Sequence, residues 1–360
     1  MTHAATDTAP QAGSASLLLL LLKARTFIAL ILVFAFFAFA APNFLSTANM
    51  VIMSKHVALN AFLAIGMTFV IISGGIDLSV GSIVGLCGMV AGWLVLYGID
   101  PGLGWSIQFN TIEICLIVMA VGVLIGAVNA FLITRLNVAP FIATLGTLYV
   151  CRGAAMLFSD GRTFPNLNGN AEYGSDSFRL IGAGTVLGLP VSIWMLIAVA
   201  VIAAYIARRT PLGRYVYAVG GNERGAALSG VRVNRIKFFV YMFSGLCAAI
   251  VGLIISSQLV ASHPATGQAF ELNAIAAAVL GGTSMSGVRD PRRTARPSSR
   301  PPRPARASAG RRPRLPRRAI RRAGGRNPAI RPAASRPARR NRPAPPRPAP
   351  DPRRHPDRCG

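Results

Sequence analysis

A basic segment of thirty residues, 208–237, lies between two apolar runs that are each long enough to cross a membrane. Seven of its side chains are basic and one, Glu223, is acidic. Short loops rich in lysine and arginine stay in the cytoplasm, so this basic segment is predicted to be cytoplasmic and to fix the orientation of the apolar runs around it. The basic residues are Arg208, Arg209, Arg214, Arg224, Arg232, Arg235 and Lys237.

Hydrophobic residues make up 52% of the chain and the mean hydropathy is +0.48, which is typical of an integral membrane protein. The net charge of +26 would suggest nucleic-acid binding if it were spread evenly. Residues 288–360, however, hold 24 arginines and only three acids. We therefore predict an all-α, polytopic bundle of about seven to eight spans in residues 26–287, followed by a disordered basic tail.

Eight apolar elements follow an N-terminal arm, residues 1–25, that we predict to be cytoplasmic. They cover approximately residues 26–41, 57–73, 83–97, 111–134, 140–158, 190–207, 238–260 and 271–287. With the basic segment inside, alternation places residues 159–177 and 261–264 outside. The prediction is a multi-pass membrane protein with a cytoplasmic N terminus.

Glycines, serines and one aspartate interrupt the apolar character immediately after the second element. A broken helix at membrane depth is tolerated where protein buries it or where it lines a watery cavity. Asp77 could cap a helix that starts near Leu78, or it could line a translocation pathway, and the two roles can coexist. The candidate residues are Gly74, Gly75, Asp77, Ser79, Gly81 and Ser82.

Four further positions are candidates for the pathway or for close helix packing. Asn129 lies near the inner end of the fourth element, and Thr144 and Gly146 lie on the first turns of a helix that starts at Pro140. Glu271 opens the last apolar element, where a carboxylate favours the positive end of a helix dipole.

The sequence contains no recognisable catalytic or metal-binding motif. Its cysteines and histidines show no metal-ligand spacing, and no phosphate-binding loop or catalytic motif is present. We expect no metal, no cofactor and no enzymatic activity. If ATP drives this protein, another polypeptide must bind the nucleotide.

The basic segment contains its own helix signals. Pro211 and Gly213 are expected to break the preceding helix, while 222–228 favours a short helix that Gly230 ends. Such a helix could cap a solvated turn or could serve as a docking surface for a cytoplasmic partner.

Four motifs in order closely resemble the permease subunits of bacterial sugar-importing ABC transporters of the ribose and xylose type. The resemblance implies a homodimeric permease of the bacterial inner membrane that receives a monosaccharide from an extracytoplasmic binding protein and is driven by a cytoplasmic ATPase. It implies that the ATPase docks on a surface containing Gly220, Asn222, Glu223, Ala226, Ala227 and Gly230. The motifs are IISGGIDLSVGS (71–82), APFIATLG (139–146), GRYVYAVGGNERGAALSG (213–230) and ELNAIAAAVLGGTSMSG (271–287).

The resemblance stops at Gly287, where the sequence changes abruptly to Arg, Pro, Ala and Gly. Family members are similar to one another in continuing with further membrane helices. The basic tail could bind anionic lipid or RNA, or could be a proline-rich linker. Its start within a glycine motif favours a third interpretation, a shifted reading frame in GC-rich DNA. We therefore hypothesise that the truncated permease assembles poorly or not at all as a transporter.

Two rival functions come from other classes. An ion-coupled secondary transporter would use Asp77, Glu113 and Glu271. Such a transporter predicts carboxylates deep within spans, whereas all three lie near the ends of apolar elements or at a break. A membrane-anchored basic arm would bind RNA in a strongly salt-dependent way. The arginines of the tail lack interleaved aromatic residues, which weakens that second rival.

Overall fold

The computed structural model of the chain describes residues 27–99 and 107–283. The predicted N-terminal arm, residues 1–25, and the predicted tail, residues 288–360, lie outside these residues. Within them the chain forms a helical bundle with only short strands, which confirms the predicted all-α membrane class.

Five helices of the described residues are long and apolar enough to cross a membrane. They are α2 (Thr47–Ile72), α4 (Thr111–Thr134), α5 (Pro140–Leu157), α7 (Val191–Arg209) and α10 (Val233–Leu259). Shorter apolar helices are α1 (Phe27–Ala40), α3 (Val80–Leu96) and α11 (Phe270–Leu280). The remaining helical elements are α6 (Phe178–Ala183), α8 (Pro211–Gly221), α9 (Glu223–Leu228) and a 3₁₀ turn (Ala171–Tyr173).

Local capping explains where two of the long helices begin. α4 starts where predicted, because the Asn110 side chain accepts from the Glu113 amide while the Glu113 carboxylate accepts from the Asn110 amide, each at 3.0 Å. α2 starts at Thr47 rather than near Val57, because the Ser46 side chain caps it. Hydropathy alone places only the apolar part of such a helix.

One helix of the basic segment, α8, was not predicted. α7 ends at Arg209 as expected, but Pro211 begins α8 and Gly213 lies inside it. A proline is well tolerated at the first helical position, where its missing N–H costs no hydrogen bond. The Thr210 hydroxyl then caps the new helix by accepting from the Gly213 amide at 3.3 Å. The predicted end of α7 before Pro211 is therefore correct, but a second helix follows it directly.

α10 lies at the centre of the bundle and packs against α2, α3 and α4. Its crossing with α4 is very close, because Gly122 and Gly245 face each other and a Cβ on either would meet the backbone of the other. Small residues let membrane helices approach in this way. Most residues of α10 from 244 to 257 are consequently buried.

Contacts between loops agree with the predicted alternation. Residues 159–177 and 261–264, both expected at the outer end, are joined by an antiparallel strand pair, β1 (Phe164–Pro165) with β4 (Ala261–Ser262). A small hairpin, β2 (Thr185–Val186) with β3 (Leu189–Pro190), precedes α7. At the opposite end, the basic segment reaches the end of α2, where Gly220 lies against the Ile72 carbonyl.

Candidate functional site

The chain leaves helical geometry between α2 and α3, and we call residues 73–79 the helix break. Gly74 adopts a φ of +83°, a left-handed conformation that glycine tolerates best. The amide of Gly75 turns back to the Val70 carbonyl at 3.0 Å. The polypeptide then enters α3 at Val80, with Ser79 as the preceding residue.

Asp77 is completely buried in the helix break and accepts three hydrogen bonds. Its Oδ1 accepts from the amide of Ser79 at 3.0 Å and from the Ser79 hydroxyl at 2.6 Å, and its Oδ2 accepts from the Ser244 hydroxyl at 2.8 Å. No salt bridge to Asp77 occurs among residues 27–99 and 107–283. The carboxylate thus holds the turn before α3 and ties it to α10. The predicted capping role is wrong, because α3 begins at Val80 with Ser79 as its N-cap and has no side-chain cap hydrogen bond.

Asn129 extends this buried polar cluster to α4. Its Nδ2 donates to the Ser79 hydroxyl at 2.8 Å, while its Oδ1 is buried without a partner in the part of the chain that the structure describes. The hydroxyl of Tyr241, also buried, is likewise without a partner there. Buried polar atoms are normally hydrogen-bonded, so these two atoms are exceptions within the described residues.

α5 joins the helix break through its first turn. The Thr144 hydroxyl donates to the Pro140 carbonyl at 2.9 Å and lies 3.3 Å from the Ile76 carbonyl. Ser82 is buried and donates to the Ser79 carbonyl at 2.8 Å. Gly146, by contrast, is exposed and has no described atom near the position of a Cβ. It therefore does not belong to this cluster.

Gly81 and Glu271 meet at a second place. A Cβ on Gly81 would overlap the Glu271 carboxylate, so α11 approaches α3 closely here. Nearby, Arg152 of α5 donates to the carbonyls of Pro264 and Thr266 at 2.8 and 2.9 Å. This polar cluster is separate from the Asp77 cluster in its hydrogen bonds.

The basic segment forms two successive helices hinged at Asn222. Asn222 ends α8 and caps α9, because its Oδ1 accepts from the Gly225 amide at 3.0 Å. Gly230 then turns the chain with a φ of +84°. Ala226 is buried against the bundle, whereas Ala227 and Leu228 are exposed, Leu228 by 91%. α9 therefore presents an open surface with an apolar side chain.

An ion pair holds α9 to α10. The Nζ of Lys237 lies 2.7 Å from Oε1 of Glu223, and Glu223 is more than half exposed. Behind this pair lies a cleft of about 300 Å³ between the basic segment and the helix break. Its walls are formed by Ser73, Gly74, Gly75, Ile133, Pro140, Val219, Gly220, Gly221, Asn222, Glu223, Lys237 and Tyr241.

The sequence around these features is that of a transport component. A family model described as "Branched-chain amino acid transport system / permease component" matches residues 49–289, a range that contains the helix break and the basic segment. The chain belongs to this family. This permease component is a multi-pass inner-membrane protein that works with other components of an ABC transport system, and it is not itself an enzyme.

Curated relatives of this permease component resemble it over most of its length. It is 42% identical to the ribose import permease protein of Haemophilus influenzae, over 74% of this chain and 79% of the relative. It is 36% identical to the D-allose transport system permease protein of Escherichia coli, over 74% and 77% of the two chains. It is 33% identical to the L-arabinose transport system permease protein of E. coli, over 69% and 71%. No solved structure matches it.

Several residues of these clusters were missed by sequence reasoning. Arg152 could have been found, because an arginine within an apolar span is an unusual and usually functional feature. Tyr241 and Ser244 carry no such signal, since a tyrosine and a serine are ordinary in α10. Lys237 was counted only as one basic residue among seven. Ser244 contacts Asp77, Tyr241 contacts Gly75 and Lys237 pairs with Glu223. Only the tertiary structure identifies these contacts.

Proposed function

We propose that this chain is the membrane-spanning permease subunit of an ATP-driven importer of a monosaccharide of the ribose class. The observation that carries the proposal is the 42% identity to the Haemophilus ribose import permease, in an alignment that covers 74% of the chain. The D-allose and L-arabinose relatives support a monosaccharide as the substrate class.

The proposed partners are a cytoplasmic ATPase subunit, an extracytoplasmic sugar-binding protein and a second copy of the chain. The ATPase would dock on α8 and α9, because this surface is exposed and basic and also contacts the bundle. ATP would be bound by that subunit. The docking residues are Gly220, Asn222, Glu223, Ala226, Ala227 and Gly230. The basic segment would lie in the cytoplasm, together with the N terminus.

The helix break would form part of the translocation pathway or of the hinge that opens it. Non-helical backbone at membrane depth occurs where it is buried in protein or lines a cavity. The Asp77 cluster has buried hydrogen bonds and one buried oxygen, Oδ1 of Asn129, that has no partner within the described residues. ATP binding would shift the permease between its two states only through contacts that differ between them. The cleft between α9 and the helix break is a place where such contacts can change.

Ribose uptake in E. coli cells that lack only their ribose import permease tests this proposal. The chain would be expressed beside a chimera in which residues 288–360 are replaced by the corresponding C-terminal part of the Haemophilus relative. We expect the chimera to import ribose well and the chain itself less, because we propose that the tail does not replace the packing of further helices.

Three outcomes decide between the alternatives. If neither the chain nor the chimera exceeds the empty vector, the proposed function is wrong. Uptake by the chain equal to that of the Haemophilus permease would contradict the role given to the tail. If an uncoupler abolishes uptake while cellular ATP is held constant, the ion-coupled alternative replaces the ATP-driven one.

A further inference from the structure

One face of α10 contacts, in successive turns, the proposed docking helix and the helix break. Lys237, Tyr241 and Ser244 are spaced i, i+4 and i+7, so their side chains lie along the same side of the helix. Lys237 pairs with Glu223 of α9 at 2.7 Å. Ser244 donates to Asp77 at 2.8 Å.

Tyr241 lies between these two polar contacts. Its hydroxyl sits over Gly75, where even a methyl side chain would collide with it. The ring is buried, and the hydroxyl has no partner within the described residues. The contact with the helix break is therefore one of packing without a hydrogen bond, in which the hydroxyl oxygen and the ring carbon that bears it both lie against Gly75.

A second contact joins the same two regions. Gly220, just before α9, lies so close to the Ile72 carbonyl that a Cβ would overlap it. Ile72 is the last residue of α2, immediately before the helix break. α8 and α9 are thus connected to the helix break in two ways, through the end of α2 and through α10.

We propose that Lys237, Tyr241 and Ser244 are positioning residues that transmit movement of the docked ATPase from α9 to the Asp77 cluster. This inference rests on the proposed function, since it assumes that α9 is the docking helix. Packed interiors have discrete arrangements and do not deform freely, so a displacement of α9 reaches Asp77 as a repacking of this face. The Glu223–Lys237 ion pair connects α9 to this face of α10.

Reversing the charges of the Glu223–Lys237 ion pair, singly and together, tests its role in the full chain. Amide hydrogen exchange across residues 70–82 would be compared in membranes with and without the ATPase subunit and a non-hydrolysable ATP analogue. We expect the ATPase to change this exchange at least threefold in the original chain, and not in Glu223→Lys or Lys237→Glu. The double variant should restore the change, because it restores the ion pair with opposite polarity.

Tyr241 provides an independent test with a conservative rescue. Tyr241→Phe keeps the ring and should retain the ATPase-dependent change in hydrogen exchange, whereas Tyr241→Ala should lose it.

Arg235→Glu is the matched control for the charge variants, because it reverses a charge on α10 that forms no salt bridge among the described residues. That control should behave like the original chain.

Docking is measured separately by copurification of the ATPase subunit. If the ATPase does not copurify with the original chain, the proposed function fails. If it copurifies but hydrogen exchange at residues 70–82 does not respond, the transmission through α10 is wrong. It is also wrong if the double variant copurifies with the ATPase and still behaves like the single variants. Loss of the response in Tyr241→Phe would also overturn it, since the hydroxyl would then be required.

Discussion

At the scale of single residues, the feature that matters most is a buried carboxylate held by hydroxyl and amide donors. Asp77 has no exposed surface, and its oxygens accept from Ser79 and Ser244. Hydrogen bonds to a charged group contribute more to stability than neutral ones, and a buried donor left without its acceptor is costly. The sequence identified Asp77 as a candidate, but it gave no indication that Ser244 is its partner.

Replacement of this carboxylate should destabilise the protein. Asp77→Ala leaves the Ser79 amide and two hydroxyls without their acceptor, so we expect a loss of about 1–3 kcal/mol in unfolding free energy. The measurement is thermal unfolding of the purified protein in detergent. Asp176→Ala, at an exposed position just before α6, should leave the melting temperature almost unchanged. Equal melting temperatures for the two variants would contradict the role assigned to the Asp77 cluster.

At the scale of elements, α8 and α9 act as a pair that rests on the end of α2. α8 buries Gly213, Val216 and Val219 against the bundle. α9 exposes most of its surface and is fastened by the Glu223–Lys237 pair. The absence of a side chain at Gly220 permits the close contact with the Ile72 carbonyl, so the fit of the whole pair depends on this glycine.

A single added methyl group should disturb this contact. Gly220→Ala would force α8 away from Ile72, so we expect ribose uptake by the chimera to fall at least tenfold while the protein still inserts into the membrane. Gly153→Ala adds the same methyl group to α5, where no described atom lies within 4 Å, and is the matched control. Similar uptake in both variants would show that the close contact is not needed.

At the scale of the whole molecule, the loops sort to two ends of the bundle. β1 and β4 pair at one end, and the basic segment meets the end of α2 at the other. The structure therefore supports the relative sidedness of these loops. Which end faces the cytoplasm follows only from the charge of the basic segment, and that assignment remains a prediction.

Cysteine labelling checks this orientation directly. Leu228→Cys on α9 and Leu187→Cys in the β2–β3 hairpin both replace highly exposed side chains at opposite ends of the bundle. We expect an impermeant maleimide to label the Leu187→Cys variant in intact spheroplasts and the Leu228→Cys variant only after the membrane is opened. The reverse pattern would invert the topology and exclude cytoplasmic docking on α9.

The sequence by itself determined the membrane class, the approximate spans, the short α9 helix and the position of the helix break. These depend on local apolar length, charge and glycine content, all of which can be read along the chain. It missed α8, because a proline that ends one helix can begin the next and only the capping geometry of Thr210 distinguishes the two cases.

Only the tertiary structure decided which candidates act together. It joined Asp77, Ser79 and Asn129 with Ser244, and it separated them from Gly146 and from the pair of Gly81 and Glu271. The physical reason is that hydrogen bonds and close contacts across a bundle depend on how helices are rotated and shifted against one another. Hydropathy shows that a helix lies in the membrane, but it does not show which of its faces meets which neighbour.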